Sequence, residues 1–256
     1  MKKSRKNLLI VAIFFALACH EQDEVYLDEP RIEFLDIAFK KGGNGVRDSL
    51  KLTIQLTDGN LDFGLESSDL DFPYQPSFYY SKDDGQKVSS DKLKRGEIEP
   101  ESLIQLRDRS TPPYDTLPLP ESSCHYYDYQ TGTIGQFEHS YLYFEANENR
   151  NNIFIDFYYE NVDGSFSEYD WFQETCTTFD GRIFPTNTLS VDEVRIRGPF
   201  SAKMISPKKL RITYDMTSLG FTKVFGSKKI KLRVYVKDQA LNTSNIIETP
   251  AFLLDI

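Results

Sequence analysis

Two stretches of strict alternation constrain this chain more than any other feature. In residues 49–57, Leu50, Leu52, Ile54 and Leu56 alternate with Lys51, Thr53, Gln55 and Thr57. In residues 229–237, Ile230, Leu232, Val234 and Val236 alternate with Lys229, Lys231, Arg233, Tyr235 and Lys237. Successive side chains of a strand point to opposite faces, so each stretch reads as a strand with one face on a core and one in water. Residues 31–40, 140–145, 153–160, 165–172, 193–197, 208–214 and 250–255 are expected as further strands with less regular alternation. No long segment has helical periodicity; one short helix is expected near 98–106. Aromatic residues make up 14% of the chain, which suits pleated surfaces. The expected fold class is all-β.

The two alternating stretches also look like a repeat. "SLKLTIQLTDGNLDFG" and "KIKLRVYVKDQALNTSN" each run from strand to Asp to an Asn-bearing loop. Two such units predict two β-sandwich domains, a first at 31–184 with long loops and a second at 190–256, with one elaborated domain as the alternative. Residues 81–100 are polar and Gly-punctuated and read as loop. Pro112, Pro113, Pro118 and Pro120 exclude regular helix and central strand from 108–123. Asn161 to Gly164 reads as a hairpin loop. Gly42, Gly43, Asn44 and Gly45 read as another, because a phosphate cradle needs a following helix.

The amino terminus carries an address. Lys2, Lys3, Arg5 and Lys6 precede an apolar run from Leu8 to Ala18 that stops at Cys19. A basic head, a short apolar body and small residues before the cut describe an export signal, and the run is too short to span a bilayer. Ala16, Leu17 and Ala18 fit ordinary secretory cleavage. With Cys19 they also resemble a bacterial lipobox, with Ala16 where Leu is usual. Residues 1–18 are thus expected as signal peptide, Cys19 as the lipidated first residue, and 19–30 as an acidic tether. The acidic run after Cys19 resembles a surface-export signal. The expected location is the bacterial cell envelope, as an outer-membrane lipoprotein held in the membrane by its lipid, in the periplasmic or the surface leaflet.

The net charge of −9 argues against nucleic acid as a partner, which needs a basic face. The basic run at Lys92, Lys94 and Arg95 reads as a solvated loop. With Cys19 lipidated, Cys124 and Cys176 remain as an even pair in an exported chain, so a disulfide between them is expected, two buried thiols being the alternative.

Three segments carry a family resemblance. "DSLKLTIQLTDGNLDFGLESSD", "CTTFDGRIFP" and "VKDQALNTSNIIETPAF" resemble, in the same order, segments of uncharacterised Bacteroidetes envelope lipoproteins. Asn60, Leu61 and Phe63 stand where that pattern has Asp, Gly and Leu, and Ile183 is an extra residue. The resemblance implies immunoglobulin-like sandwiches on an envelope-anchored protein and names no activity.

Asp58, Asn60 and Asp62, followed by Glu66 and Asp69, place alternate oxygen donors in a loop, as Ca²⁺ requires. Phe63 stands where an EF-hand has Gly, and Asp69 where it has Glu. The loop therefore reads first as an acidic turn, with Ca²⁺ the alternative; no other cofactor is expected. His20, His125 and His139 have no zinc spacing and read as ordinary surface or packing residues. No string for a catalytic serine, a P-loop or a dinucleotide fold is present. Tyr126, Tyr127, Tyr129, Tyr158, Tyr159, Tyr169, Trp171 and Phe172 are aromatic cluster members that read first as core packing and cross-strand pairs, with an exposed platform as the alternative. Tyr158, Tyr169 and Trp171 are the candidates for an exposed ligand platform. The expected function is non-enzymatic binding or scaffolding, toward an envelope protein or a glycan. The alternatives are a carbohydrate-binding module and an enzyme with a carboxylate pair.

Lipidation is checked by mass spectrometry of the mature amino terminus. The expected outcome is a diacylglyceryl-modified, N-acylated Cys19; an unmodified Cys19 on a soluble protein would refute it.

Overall fold

The computed structural model describes residues 27–43, 45–116, 127–130 and 140–254. The export signal, Cys19, most of the tether, Cys124, Tyr126 and all three histidines lie outside the described residues. Cys176 ends the short helix Trp171–Thr175 in the left-handed conformation. Its expected bridge to Cys124 therefore remains an expectation.

The fold is mostly antiparallel sheet. Its strands are β1 (Arg31–Lys40), β2 (Asp48–Thr57), β3 (Ser77–Tyr80), β4 (Lys87–Ser89), β5 (Tyr127–Gln130), β6 (Ser140–Ala146) and β7 (Ile153–Glu160). They continue with β8 (Phe166–Tyr169), β9 (Val194–Arg197), β10 (Phe200–Ser206), β11 (Lys209–Ser218), β12 (Lys229–Val236), β13 (Ile247–Glu248) and β14 (Phe252–Leu253). One sheet has the order β1-β2-β11-β10-β9. A second has the order β13-β12-β7-β8, with β14 also on β12. The smaller third sheet runs β4-β3-β6-β5.

The two alternating strands behave as their pattern demands. Leu50, Leu52, Ile54 and Leu56 of β2 are buried, and so are Ile230, Leu232, Val234 and Val236 of β12. Both sets belong to one hydrophobic core, with Ile212 and Met216 of β11 and Ile155 and Phe157 of β7. The two larger sheets thus bury their apolar faces against each other as a sandwich.

This pairing corrects the predicted split into domains at 31–184 and 190–256. Strand β2 pairs along its whole length with β11, from Asp48 opposite Ser218 to Thr57 opposite Lys209. Strand β7 pairs with β12 from Ile153 to Tyr159. Each large sheet therefore mixes strands from both proposed domains, and one core serves both. The alternation is local and fixes a buried face; it does not say which strand lies alongside. The apparent repeat is two strands of one sandwich, one in each sheet.

The third sheet is an insertion between β2 and β7 with its own small core of Tyr79, Leu103 and Leu142. Asn147 closes its base. Its Nδ2 donates to the carbonyls of Pro73 (2.7 Å) and Gln75 (2.8 Å). Its Oδ1 accepts from the backbone N–H of Asn149. One buried amide thus ties the entry of the insertion to its exit.

Local expectations fare unevenly. The Gly42–Gly45 segment joins β1 to β2 as a hairpin. Asp48 secures it by accepting from Gly42 N (2.9 Å), while its other oxygen accepts from Thr222 N and Oγ1. The expected strand 165–172 stops at Tyr169, because Asp170 caps a helix by accepting from Gln173 N. The loop at 81–100 contains β4 and the helix Ser90–Lys94, and Arg95 is paired with Asp91 and Glu97. The helix expected near 98–106 is replaced by two 3₁₀ turns, Pro100–Ser102 and Leu106–Ser110.

Replacing Asn147 with Ala should lower stability by about 2–3 kcal/mol, because buried carbonyls lose their donor. Urea unfolding measures it; a loss within error of zero would mean that the insertion is held by other contacts.

Candidate functional site

The three segments that carry the family resemblance are far apart in sequence and meet at one end of the sandwich. The loop after β2 crosses the chain at Ile183–Thr186, with Leu65 N donating to Ile183 O (2.9 Å). Gly64 takes φ +110 there, and a side chain on it would begin 2.4 Å from Phe184 O. The position therefore admits only glycine. From the third segment, Gln239 donates its backbone N–H to Asp62 O (3.2 Å) and its Nε2 to Gly64 O (2.7 Å). Tyr74 donates its hydroxyl to Gln239 O.

Arg182 holds the same loop from the other side. Its guanidinium donates to the carbonyls of Glu66 (2.8 Å), Asp69 (3.1 Å), Tyr74 (3.2 Å) and Arg150 (2.7 Å). A planar fork with five donors is suited to gathering several carbonyls at once. Against this scaffold lies a cleft of about 470 Å³, lined by Glu66, Asp69, Asp71, Phe72, Tyr74 and Gln239 among others. Phe72 is 75% exposed at its edge.

The five proposed metal ligands divide into two groups. Asp58, Asn60 and Asp62 stay together: Asn60 Oδ1 accepts from Asp62 N, and Asp58 Oδ2 accepts from Phe63 N (3.0 Å). Burial, then the charge of Asp62, pushes the Asp58 pKa up to about 6, against the pull of the Phe63 N–H. Asp238 adds to the repulsion on both aspartates. Glu66 and Asp69 are used elsewhere, which corrects their place in the set. Glu66 pairs with Arg197 (2.7 Å), and Asp69 Oδ2 accepts from Glu66 N (2.7 Å) to close a turn. After Gly64 the chain turns away toward Arg182, so a spacing that continues in sequence does not continue in space.

Trp171 and Tyr169 follow the core reading, which overturns the alternative of an exposed aromatic platform. Trp171 is only 6% exposed. Its ring packs edge-on against Phe157, Tyr169, Phe179, Phe221 and Phe225, at centroid distances from 4.9 to 5.8 Å. Tyr169 belongs to the same cluster. Tyr158 lies half-buried on the opposite face of the sheet, with its hydroxyl donating to Glu168 (3.3 Å). The three rings therefore form no common row. The strand that would have alternated Tyr169 and Trp171 outward ends at Tyr169, and the helix turns Trp171 inward.

Beside this cluster a small pocket of about 180 Å³ is bordered by Asp156, Glu168 and Asp180. Asp180 Oδ1 accepts from Ile155 N (3.1 Å). Burial, helped by Asp156 and Glu148 and opposed by the Ile155 N–H and Arg150, raises its pKa to about 6. Burial and Glu168 also raise that of Asp156, against Arg233.

Arg182, Tyr74, Asp238 and Gln239 escaped the sequence reading as site residues. Asp238 and Gln239 lie in the quoted "VKDQALN" and Arg182 in "CTTFDGRIFP", so convergence of those segments was the available signal. No protein family, curated protein or solved structure matches the chain.

Asp180 yields a pH prediction. Its folded pKa lies above the ordinary carboxylate value near 3.9, so the folded state holds the proton more tightly and loses stability as pH rises from about 4 to about 6. Asn at this position can still accept from Ile155 N. Asp180→Asn should therefore stabilise the protein by on the order of 1 kcal/mol above pH ~6, and by little below pH ~4. Denaturant melts across that range check it; an equal effect at both ends would rule out titration as the cause.

Proposed function

We propose that this chain is an exported, lipid-anchored binding protein of the bacterial envelope, with an immunoglobulin-like sandwich that presents the cleft beside Tyr74 to a ligand. The observation that carries this reading is the cleft itself. It sits where all three resembling segments meet, on loops held by Arg182, Gln239 and the tight passage at Gly64. Rigid support under a polar cleft is what a binding site needs, because little ordering remains to be done when the ligand arrives. The export signal and Cys19 supply the address, and the lipid tethers the module to its membrane.

The lining favours a ligand rich in hydroxyls. Asp71 lines the cleft with Glu66 and Asp69, whose Oε2 and Oδ2 are engaged by Arg197 and by Glu66 N, so that their second carboxylate oxygens are the acceptors offered to a ligand. Phe72 offers an exposed ring against which the C–H face of a sugar packs. This is the carbohydrate-binding reading moved from Tyr158, Tyr169 and Trp171 to a different aromatic residue. The role is capture or scaffolding, without turnover.

A glycan array probed with the mature chain carrying Cys19→Ser, which keeps it soluble, tests the reading. The expected outcome is retention of a defined glycan set, with Phe72→Ala weakening it by about tenfold or more at unchanged melting temperature. Absence of glycan binding would overturn the carbohydrate assignment, and so would binding indifferent to Phe72.

A further inference from the structure

The Asp58 group has a property that an ordinary acidic turn lacks. Asp58 is only 1% exposed, and its Oδ1 is buried with no hydrogen-bond partner. Oδ1 of Asp62 is likewise buried and unpartnered. The negative charge of Asp238 bears on both residues, that of Asp62 on Asp58, and that of Asp28 on Asp62. Asp238 is itself buried, at the end of β12, and its two oxygens accept from Asn242 N and Nδ2 (both 2.8 Å). A buried carboxylate oxygen without a donor costs free energy that a turn has no reason to bear, since an exposed Asp or Asn would make the same turn.

We propose that Asp58 and Asp62 form a Ca²⁺ site at the end of the sandwich, with Asp238 as the third negative charge beside it. Oδ1 of each aspartate is a ligand, and amide, peptide and water oxygens of the loop complete the sphere. The donors are all hard oxygens, which excludes the thiolate and imidazole sites that zinc prefers. An irregular loop tolerates the six to eight flexible contacts of Ca²⁺ better than the strict octahedron of Mg²⁺. Among the described residues no three His, Cys, Asp or Glu side chains stand together as a preformed metal centre. The ligand set is accordingly two carboxylates plus neutral oxygens, and the affinity belongs with extracellular modules, at roughly 10⁻⁴–10⁻³ M. The site differs from the sequence-based set in losing Glu66 and Asp69 and in gaining Asp238 as a neighbour. It does not depend on the glycan reading, because the cation would brace the loop whatever the cleft holds.

The test uses the purified mature chain with Cys19→Ser, stripped with chelator. Thermal unfolding is recorded near neutral pH in chelator, in ~10 mM Mg²⁺ and in ~10 mM Ca²⁺, a concentration well above the expected dissociation constant. Equilibrium dialysis against radioactive calcium measures binding directly. The expected result is a rise in melting temperature of a few degrees with Ca²⁺, a smaller one with Mg²⁺, and about one bound ion per chain. Asp62→Asn should abolish both the shift and the binding, while Glu66→Gln should leave both in place. Wild-type chain that neither shifts nor binds calcium would overturn the proposal, whatever the variants do. Full calcium binding by Asp62→Asn would overturn it as well. A melting temperature that responds to pH but not to calcium would mean that the two aspartates share a proton instead.

Discussion

The sandwich rests on one requirement: the row Leu50, Leu52, Ile54 and Leu56 has to leave water. Each such side chain is worth roughly 2 kcal/mol when fully buried, and the opposite face of the strand, Lys51 to Thr57, has to stay near solvent. A two-stranded hairpin with β1 cannot bury that row, because both strands would offer the same open face. The row is closed by the second sheet, whose β7 and β12 bring Ile155, Phe157, Leu232 and Val234 to the same core. The sheets can be built only from distant parts of the chain, since β11 flanks β2 and β12 flanks β7. Long-range pairing is therefore a condition of the core, and the polar end of the sandwich follows from it.

That end is where β2 and β12 run out. Both strands stop at a buried aspartate, Asp58 and Asp238, and both chains then need to turn. A strand leaving a sheet carries backbone groups that have lost their ladder partners and need others. Gln239, Arg182 and Tyr74 supply those partners, mostly to main-chain carbonyls, which is why the resembling motifs are rich in polar residues without forming a catalytic string. In this fold the three segments meet at a structural junction. The cleft beside it is lined by residues of the same loops.

Much of the strand content could be read directly, because period-two alternation is a local property. The buried faces of β2 and β12 came out residue for residue, and the limits of β1 and β7 did as well. Strand β10 was missed because Ala202 and polar neighbours thin its apolar signal, although Phe200, Ala202 and Met204 alternate inward. The domain count failed for a different reason. Similar strands in two sheets of one sandwich leave the same trace as similar domains, and partner choice is a non-local fact. In the site, Asp58, Asn60 and Asp62 were legible through their spacing. Their separation from Glu66 and Asp69 was not, since it is set by Gly64 passing under Phe184.

The aromatic residues show the same division between chemistry and placement. Tyr169 and Trp171 are two apart, so on a continuous strand they would share a face. Asp170 lies between them, and its side chain satisfies the first free N–H groups of a helix. One carboxylate therefore decides that Trp171 completes a six-ring cluster with Phe157, Tyr169, Phe179, Phe221 and Phe225. The indole Nε1 is left buried without a partner there, so apolar packing outweighs a lost hydrogen bond at that position. Phe72, which had no place in any alternating pattern, is the ring left facing solvent beside carboxylates. Exposure in this fold is decided by where strands end, and the cleft belongs to the loops rather than to the sheets that hold most of the chain's aromatic side chains.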